Sequence, residues 1–85
     1  MKNRSRTEII SLILEAAKEG ASRTKILYKA MLSYTQARDY LTALLEAGLV
    51  EKVDNTFKTT EKGIQFLQIN EPLQKMLESR FSTPV

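Results

Sequence analysis

The chain contains no cysteine, no histidine and no tryptophan in its 85 residues. Without the first two there is no disulfide, no zinc finger, no haem ligation by thiolate or imidazole, no thiol nucleophile and no imidazole base. Carboxylates and other oxygen ligands remain, but they are scattered along the chain. Neither a paired general acid and base nor a metal-ligand cluster is visible, so the expectation is no enzyme, no cofactor and no metal. Long apolar runs are also missing. No stretch approaches the roughly 18 residues of a membrane span. The basic start Met1-Lys2-Asn3-Arg4-Ser5-Arg6 is not followed by the apolar segment that a signal peptide needs. The expected location is cytoplasmic. The missing cysteines leave the redox compartment open.

What is present fits one small domain. At about 100–200 residues per domain the length supports one unit, with a marginal core. Apolar residues (42%) and charged residues (27%) lie near globular averages, which argues against wholesale disorder. The net charge is only +3, but it is unevenly spread: residues 1–38 carry eight basic and three acidic residues, and residues 39–85 carry five basic and seven acidic. If the basic half lies on one face, it forms an electrostatic footprint for a polyanion; otherwise it is a solvated surface.

Cap signals and periodicity give the order of elements. Ser5 and Glu8 have capping-box spacing, followed by Ile9, Leu12, Ile13, Ala16 and Ala17 on one helical stripe, with Gly20 as the expected stop. Ser22 caps a short second helix over 23–30, with Ile26, Leu27 and Ala30 as its apolar side. Met31-Leu32-Ser33 is a tight turn. Ser33 and Gln36 form a second capping box, and the third helix, 34–47, carries Ala37, Leu41, Leu44 and Leu45 toward the core and stops at Gly48. Leu49–Val53 and Thr56–Thr60 read as a hairpin across Asp54-Asn55. Thr59 or Thr60 caps a fourth helix bearing Ile64, Phe66, Leu67 and Ile69. Pro72 then bends that helix or opens a new one.

Helix, helix, turn, helix, hairpin, helix is the layout of a winged helix-turn-helix: mostly α with a small β-hairpin (α+β), plus an added C-terminal helix. The expected division is a winged domain over 1–69 and a helical extension over 70–85. The third helix is the expected recognition helix and the hairpin, 49–60, the wing.

Particular residues add a resemblance. Arg4-Ser5-Arg6-Thr7-Glu8-Ile9-Ile10, Lys25-Ile26-Leu27-Tyr28-Lys29-Ala30, Leu32-Ser33-Tyr34-Thr35-Gln36, Tyr40-Leu41, Gly48-Leu49 and Lys58-Thr59-Thr60-Glu61-Lys62-Gly63 resemble the archaeal winged-helix proteins called the ten-a family. The Thr-Glu-Lys-Gly segment is common to many winged helices; the opening run and the Leu-Ser-Tyr-x-Gln turn are more particular. The resemblance covers about residues 4–69. It implies a small nucleoid-associated protein that binds double-stranded DNA, as a transcriptional regulator or a chromatin protein. Members of that family dimerise through a long C-terminal helix, and this chain departs from them in a short tail that holds Pro72.

On a recognition helix the leading residues face the bases. The non-core positions here are Thr35, Gln36, Arg38, Asp39, Thr42 and Ala43. Gln suits the adenine edge and Arg the guanine edge. Gln36 is also the box partner of Ser33, and Asp39 either faces away or orients Arg38. Tyr34 either donates to a phosphate or packs on the second helix. Arg23, Lys25 and Lys29 are expected on the DNA backbone, and Lys52 and Lys58 on the wing contacts. Lys2, Arg4 and Arg6 form a basic arm or a solvated terminus. Tyr28 and Tyr40 are expected to pack internally, and Phe57 to point inward. Phe66, Ile69, Leu73 and Met76, with Leu77 and Phe81 beside them, follow steps of three and four. They suit a homodimer contact, or a tail folded back on its own core. The competing readings are a regulator reading sequence, an architectural chromatin protein with little sequence preference, and a protein–protein interaction module, since fold does not dictate function.

Overall fold

The computed structural model describes residues 5–69. The elements are α1 (Arg6–Ala16), α2 (Arg23–Ala30), α3 (Tyr34–Ala47), β1 (Val50–Val53) and β2 (Thr56–Thr59), followed by a helix, α4, over residues 61–69. Four helices with a two-stranded antiparallel hairpin make the expected winged-helix fold.

Each helix begins where a serine or threonine can satisfy orphan N–H groups. Ser5 and Glu8 close one capping box, and Ser33 and Gln36 another. The Ser22 hydroxyl accepts from Lys25 N–H at 3.2 Å. At the start of α4 the choice between Thr59 and Thr60 resolves to Thr60: its Oγ1 accepts from Gly63 N–H at 3.2 Å and donates to the Gly48 carbonyl at 2.6 Å.

The ends are less uniform. α2 and α3 close in the same way. Leu32 N–H reaches back to the Leu27 carbonyl, and Leu49 N–H to the Leu44 carbonyl. Each sits after a left-handed residue, Met31 (φ 55°) or Gly48 (φ 78°), the Schellman arrangement. α1 stops earlier than Gly20 suggests. Its cap is Ala17, whose carbonyl accepts from Gly20 N–H at 3.0 Å and from Thr59 N–H at 2.9 Å. That tertiary bond from β2 ends the helix; Gly20, at φ 94°, serves the turn beyond it.

The hairpin pairs Val50 with Thr59, Glu51 with Lys58, Lys52 with Phe57 and Val53 with Thr56. Its strands are one residue shorter at the outer ends than the sequence suggests. Asp54 turns the chain at φ 57°. A lone hairpin is marginal in water, and here a third segment supports it: Ala21 and Phe57 exchange backbone hydrogen bonds at 2.9 and 2.8 Å. Thr59 is buried, and its hydroxyl donates to the Leu14 carbonyl at 2.7 Å.

The core is Ile13, Leu14, Ala17, Ala21, Ile26, Ala30, Leu32, Ala37, Leu41, Leu44, Val50, Phe57 and Leu67. Three expectations of burial fail. Tyr28 is 74% exposed, Leu12 39% and Leu45 38%. The buried line of α1 runs through Ile13, Leu14 and Ala17, which leaves Leu12 on its other side. On a 100° wheel Tyr28 lies on the far side of α2 from Ile26 and Ala30, and Leu45 lies on the flank of α3 rather than on the line of Ala37, Leu41 and Leu44. Tyr40 packs against the core, half-buried, as expected.

Candidate nucleic-acid interface

With Ala37, Leu41 and Leu44 turned inward, the helical repeat sends Thr35, Asp39, Thr42 and Glu46 outward, flanked by Arg38 and Ala43. All six are exposed, as is Gln36. No described element covers this side of α3. The leading end carries Tyr34, Thr35 and Arg38, while the trailing end carries Glu46. Glu46 therefore disfavours a polyanion at the trailing end, while Arg38 near the leading end has Asp39 beside it.

Three leading-end groups already have local partners. Gln36 Oε1 accepts from Ser33 N–H at 3.0 Å, so the capping role applies and its amide NH2 group is the part that faces outward chemistry. Thr42 Oγ1 donates to the Arg38 carbonyl at 2.9 Å. Arg38 lies 3.7 Å from Asp39, both more than half exposed; a neighbour pair this exposed contributes little to stability.

On α2, Lys25 and Lys29 are exposed one turn apart and form one ridge. On the wing the register separates the two lysines. Lys52 shares a face with Phe57, and Lys58 lies on the opposite face, directly across from Glu51. Both were expected to make wing contacts; Lys52 lies on the face of the buried Phe57 ring, and Lys58 has an acidic cross-strand neighbour.

The sequence does not reveal how these parts are joined. Arg23 is half-buried. Its guanidinium carbon lies 5.7 Å from the Tyr34 ring centre and 5.8 Å from the Phe57 ring centre. Its Nη1 donates to Tyr34 Oη at 3.0 Å. Lys52 Nζ lies 5.6 Å from the Phe57 ring. Tyr34, Arg23, Phe57 and Lys52 thus form an alternating aromatic and cationic series from the first turn of α3 to the wing, within cation–π range at each step. Tyr34 meets α2 through this bond, yet stays 56% exposed.

A second joint holds the start of α4 to the rear of α3. Lys62 Nζ donates to the Ala47 carbonyl at 2.9 Å, satisfying an orphan acceptor at the end of that helix. Gly63 lies so close to the Leu49 carbonyl that a Cβ there would sit 2.4 Å from its oxygen. The Thr-Glu-Lys-Gly segment is thus a structural corner. Arg6 opens α1 and lines a shallow groove with Asp39, Tyr40 and Ala43, on the flank of α3.

Of the residues expected to form a dimer contact, Phe66 is half-buried against the core and Ile69 is 74% exposed; Leu73, Met76, Leu77 and Phe81, with the 70–85 extension, Pro72 and the Lys2 and Arg4 arm, lie outside the described residues. Among the described residues no helix is long and apolar enough to cross a membrane, and no three acidic side chains converge as a metal site would need.

Comparison with known proteins agrees with this geometry. A family model of winged helix-turn-helix domains matches residues 3–78. No curated protein matches. Among solved structures, that of Sso10a-2, a DNA-binding protein from Sulfolobus solfataricus, is similar over 93% of this chain and 87% of its own, with a TM-score of 0.78 and 26% identity.

Proposed function

We propose, from the premise that the chain belongs to the winged helix-turn-helix family, that it binds duplex DNA as a homodimeric transcriptional regulator. The observation that carries this reading is the open leading end of α3, where Tyr34, Thr35, Gln36 and Arg38 are all exposed. A helix of 14 residues is about 21 Å long, and the major groove, about 12 Å wide, admits its leading turns. Arg38 and Thr35 reach base edges there, with Thr42 one turn behind. Lys25 and Lys29 hold phosphates on one side and Lys52 on the other, with Lys58 a more distant wing contact. The similarity to Sso10a-2, described as a DNA-binding protein, supports the same ligand. The homodimer is supported by exposed Ile69 on α4 and by the apolar spacing in the sequence through Leu73, Met76, Leu77 and Phe81.

Fluorescence anisotropy with labelled duplexes tests the ligand. Affinity is expected to fall steeply as salt rises, with a slope of about −0.9 per phosphate neutralised. Binding no tighter than that of an acidic control protein, or insensitive to salt, overturns the reading. Selection from a random duplex pool then separates a regulator, which enriches a two-fold motif, from an architectural protein, which enriches none. The two acids on the outward side of α3, Asp39 and Glu46, favour the regulator, because a general coating of DNA gains nothing from anions on its groove-facing helix.

A further inference from the structure

We propose that Arg23 is a positioning residue for DNA recognition: it fixes the wing relative to the leading turn of α3, and so sets which contacts can be made together. The inference deepens the DNA-binding reading and rests on it.

A surface arginine that serves only as a phosphate contact leaves its side chain free of the rest of the fold. Arg23 does not: its Nε lies buried with no hydrogen-bond partner, its guanidinium carbon lies within cation–π range of both Tyr34 and Phe57, and its Nη1 donates to Tyr34 Oη. A rigid planar fork can make that donation while lying near both rings, a geometry that a compact ammonium does not reproduce. The three residues belong to three different elements, α2, α3 and β2. Phe57 is doubly fixed, because its backbone pairs with Ala21, two residues before Arg23. The wing strand is therefore tied to the start of α2 by its main chain, and the same stretch of chain reaches the first turn of α3 through the Arg23 side chain. Lys52, over the same Phe57 ring, is carried on this frame. Base reading by α3 and backbone contact by Lys52 must be satisfied in one rigid pose, and contacts that must coincide convert a positional fit into sequence discrimination.

The test uses the full chain and two variants that retain net charge. Arg23→Lys keeps the cation and loses the planar fork; Tyr34→Phe keeps the ring and loses the acceptor. Affinity is measured for a pool-selected duplex and for a random duplex. The expected result is about a tenfold loss by Arg23→Lys on the selected duplex with little change on the random one. A point-charge contact to phosphate predicts otherwise: Arg23→Lys near wild type, or an equal loss on both duplexes. Either of these overturns the proposal. A second measurement needs no DNA. Nitrogen-15 spectra should show slow solvent exchange of the Arg23 Nε–H, faster exchange in Tyr34→Phe, and altered amide shifts across β1 and β2. An Nε–H that exchanges as freely as that of Arg38 overturns the frame itself. Failure of the wild-type chain to bind any duplex would instead count against the DNA-binding reading, with the exchange data still reporting on Arg23.

Discussion

Two corners of this molecule are built from similar polar residues and end up doing different work. The front corner is Ser33 to Arg38; the rear corner is where Ala47 to Leu49 meet Thr59 to Gly63, behind the wing lysines. Each has a hydroxyl that caps a helix, Ser33 for α3 and Thr60 for α4. At the front, capping uses only atoms close in sequence, and the polar side chains beyond it stay exposed, with Tyr34 alone among them bonded to another element, through Arg23. At the rear, the same hydroxyl also donates to the Gly48 carbonyl, Lys62 reaches the Ala47 carbonyl, and Gly63 is pressed against Leu49. Polar groups that satisfy one another across elements fix a fold; polar groups satisfied locally leave a surface free to meet a ligand. The rear corner should therefore be sensitive in stability and silent in binding, and the front the opposite.

The sharpest way to break that contrast is Gly63→Ala. Its φ is ordinary, so the difficulty is space: the added methyl would meet the Leu49 carbonyl oxygen at 2.4 Å and Thr59 Cγ2 at 2.5 Å. Relief requires moving backbone, and a loss of about 3 kcal/mol is expected in urea unfolding. Next is Thr59→Val, which keeps the shape but leaves the Leu14 carbonyl without its 2.7 Å donor; the expected loss is about 1–2 kcal/mol, read as a lower thermal midpoint. Ser33→Ala removes the cap of α3 and should cost about 1 kcal/mol, the largest stability effect at the front corner. Smallest in stability are Lys25→Gln and Lys29→Gln, expected within about 0.5 kcal/mol of wild type. Their effect belongs to binding: each should make the salt dependence of duplex affinity shallower by about 0.9 in slope. If the lysine variants unfold the chain, or Gly63→Ala does not destabilise it, the division between the corners is wrong.

The same contrast explains what the sequence discloses. Ser5 with Glu8, Ser33 with Gln36, Ser22 and Gly48 act on groups within five residues, so spacing alone reveals them. The turn at Met31 was legible as a break between two stripes, although a methionine in left-handed backbone gives no glycine signal. Arg23 could be seen as basic and placed on α2, but not as the link between Tyr34 and Phe57, which lie 11 and 34 positions further along the chain. The early end of α1 depends on a hydrogen bond from Thr59, and the separation of Lys52 from Lys58 on the hairpin depends on a register that the turn and Phe57 fix together. Tyr28 was misplaced because its aromatic character outweighed its phase: its position is opposite Ile26 and Ala30 on the wheel, and phase decided. The motif at Lys62 and Gly63 was visible as a pattern, and its physical cause, a close approach to Leu49, exists only in three dimensions.

The central claim is that the leading end of α3 is the surface presented to DNA. It is tested most directly by titrating isotope-labelled protein with a short duplex and following each backbone amide. The account predicts that the largest shifts fall on Tyr34, Thr35, Gln36, Arg38 and Thr42, with smaller ones at Lys25, Lys29 and Lys52. Shifts concentrated instead on the outer side of α1 or on α4, with residues 34–42 unmoved, would contradict it.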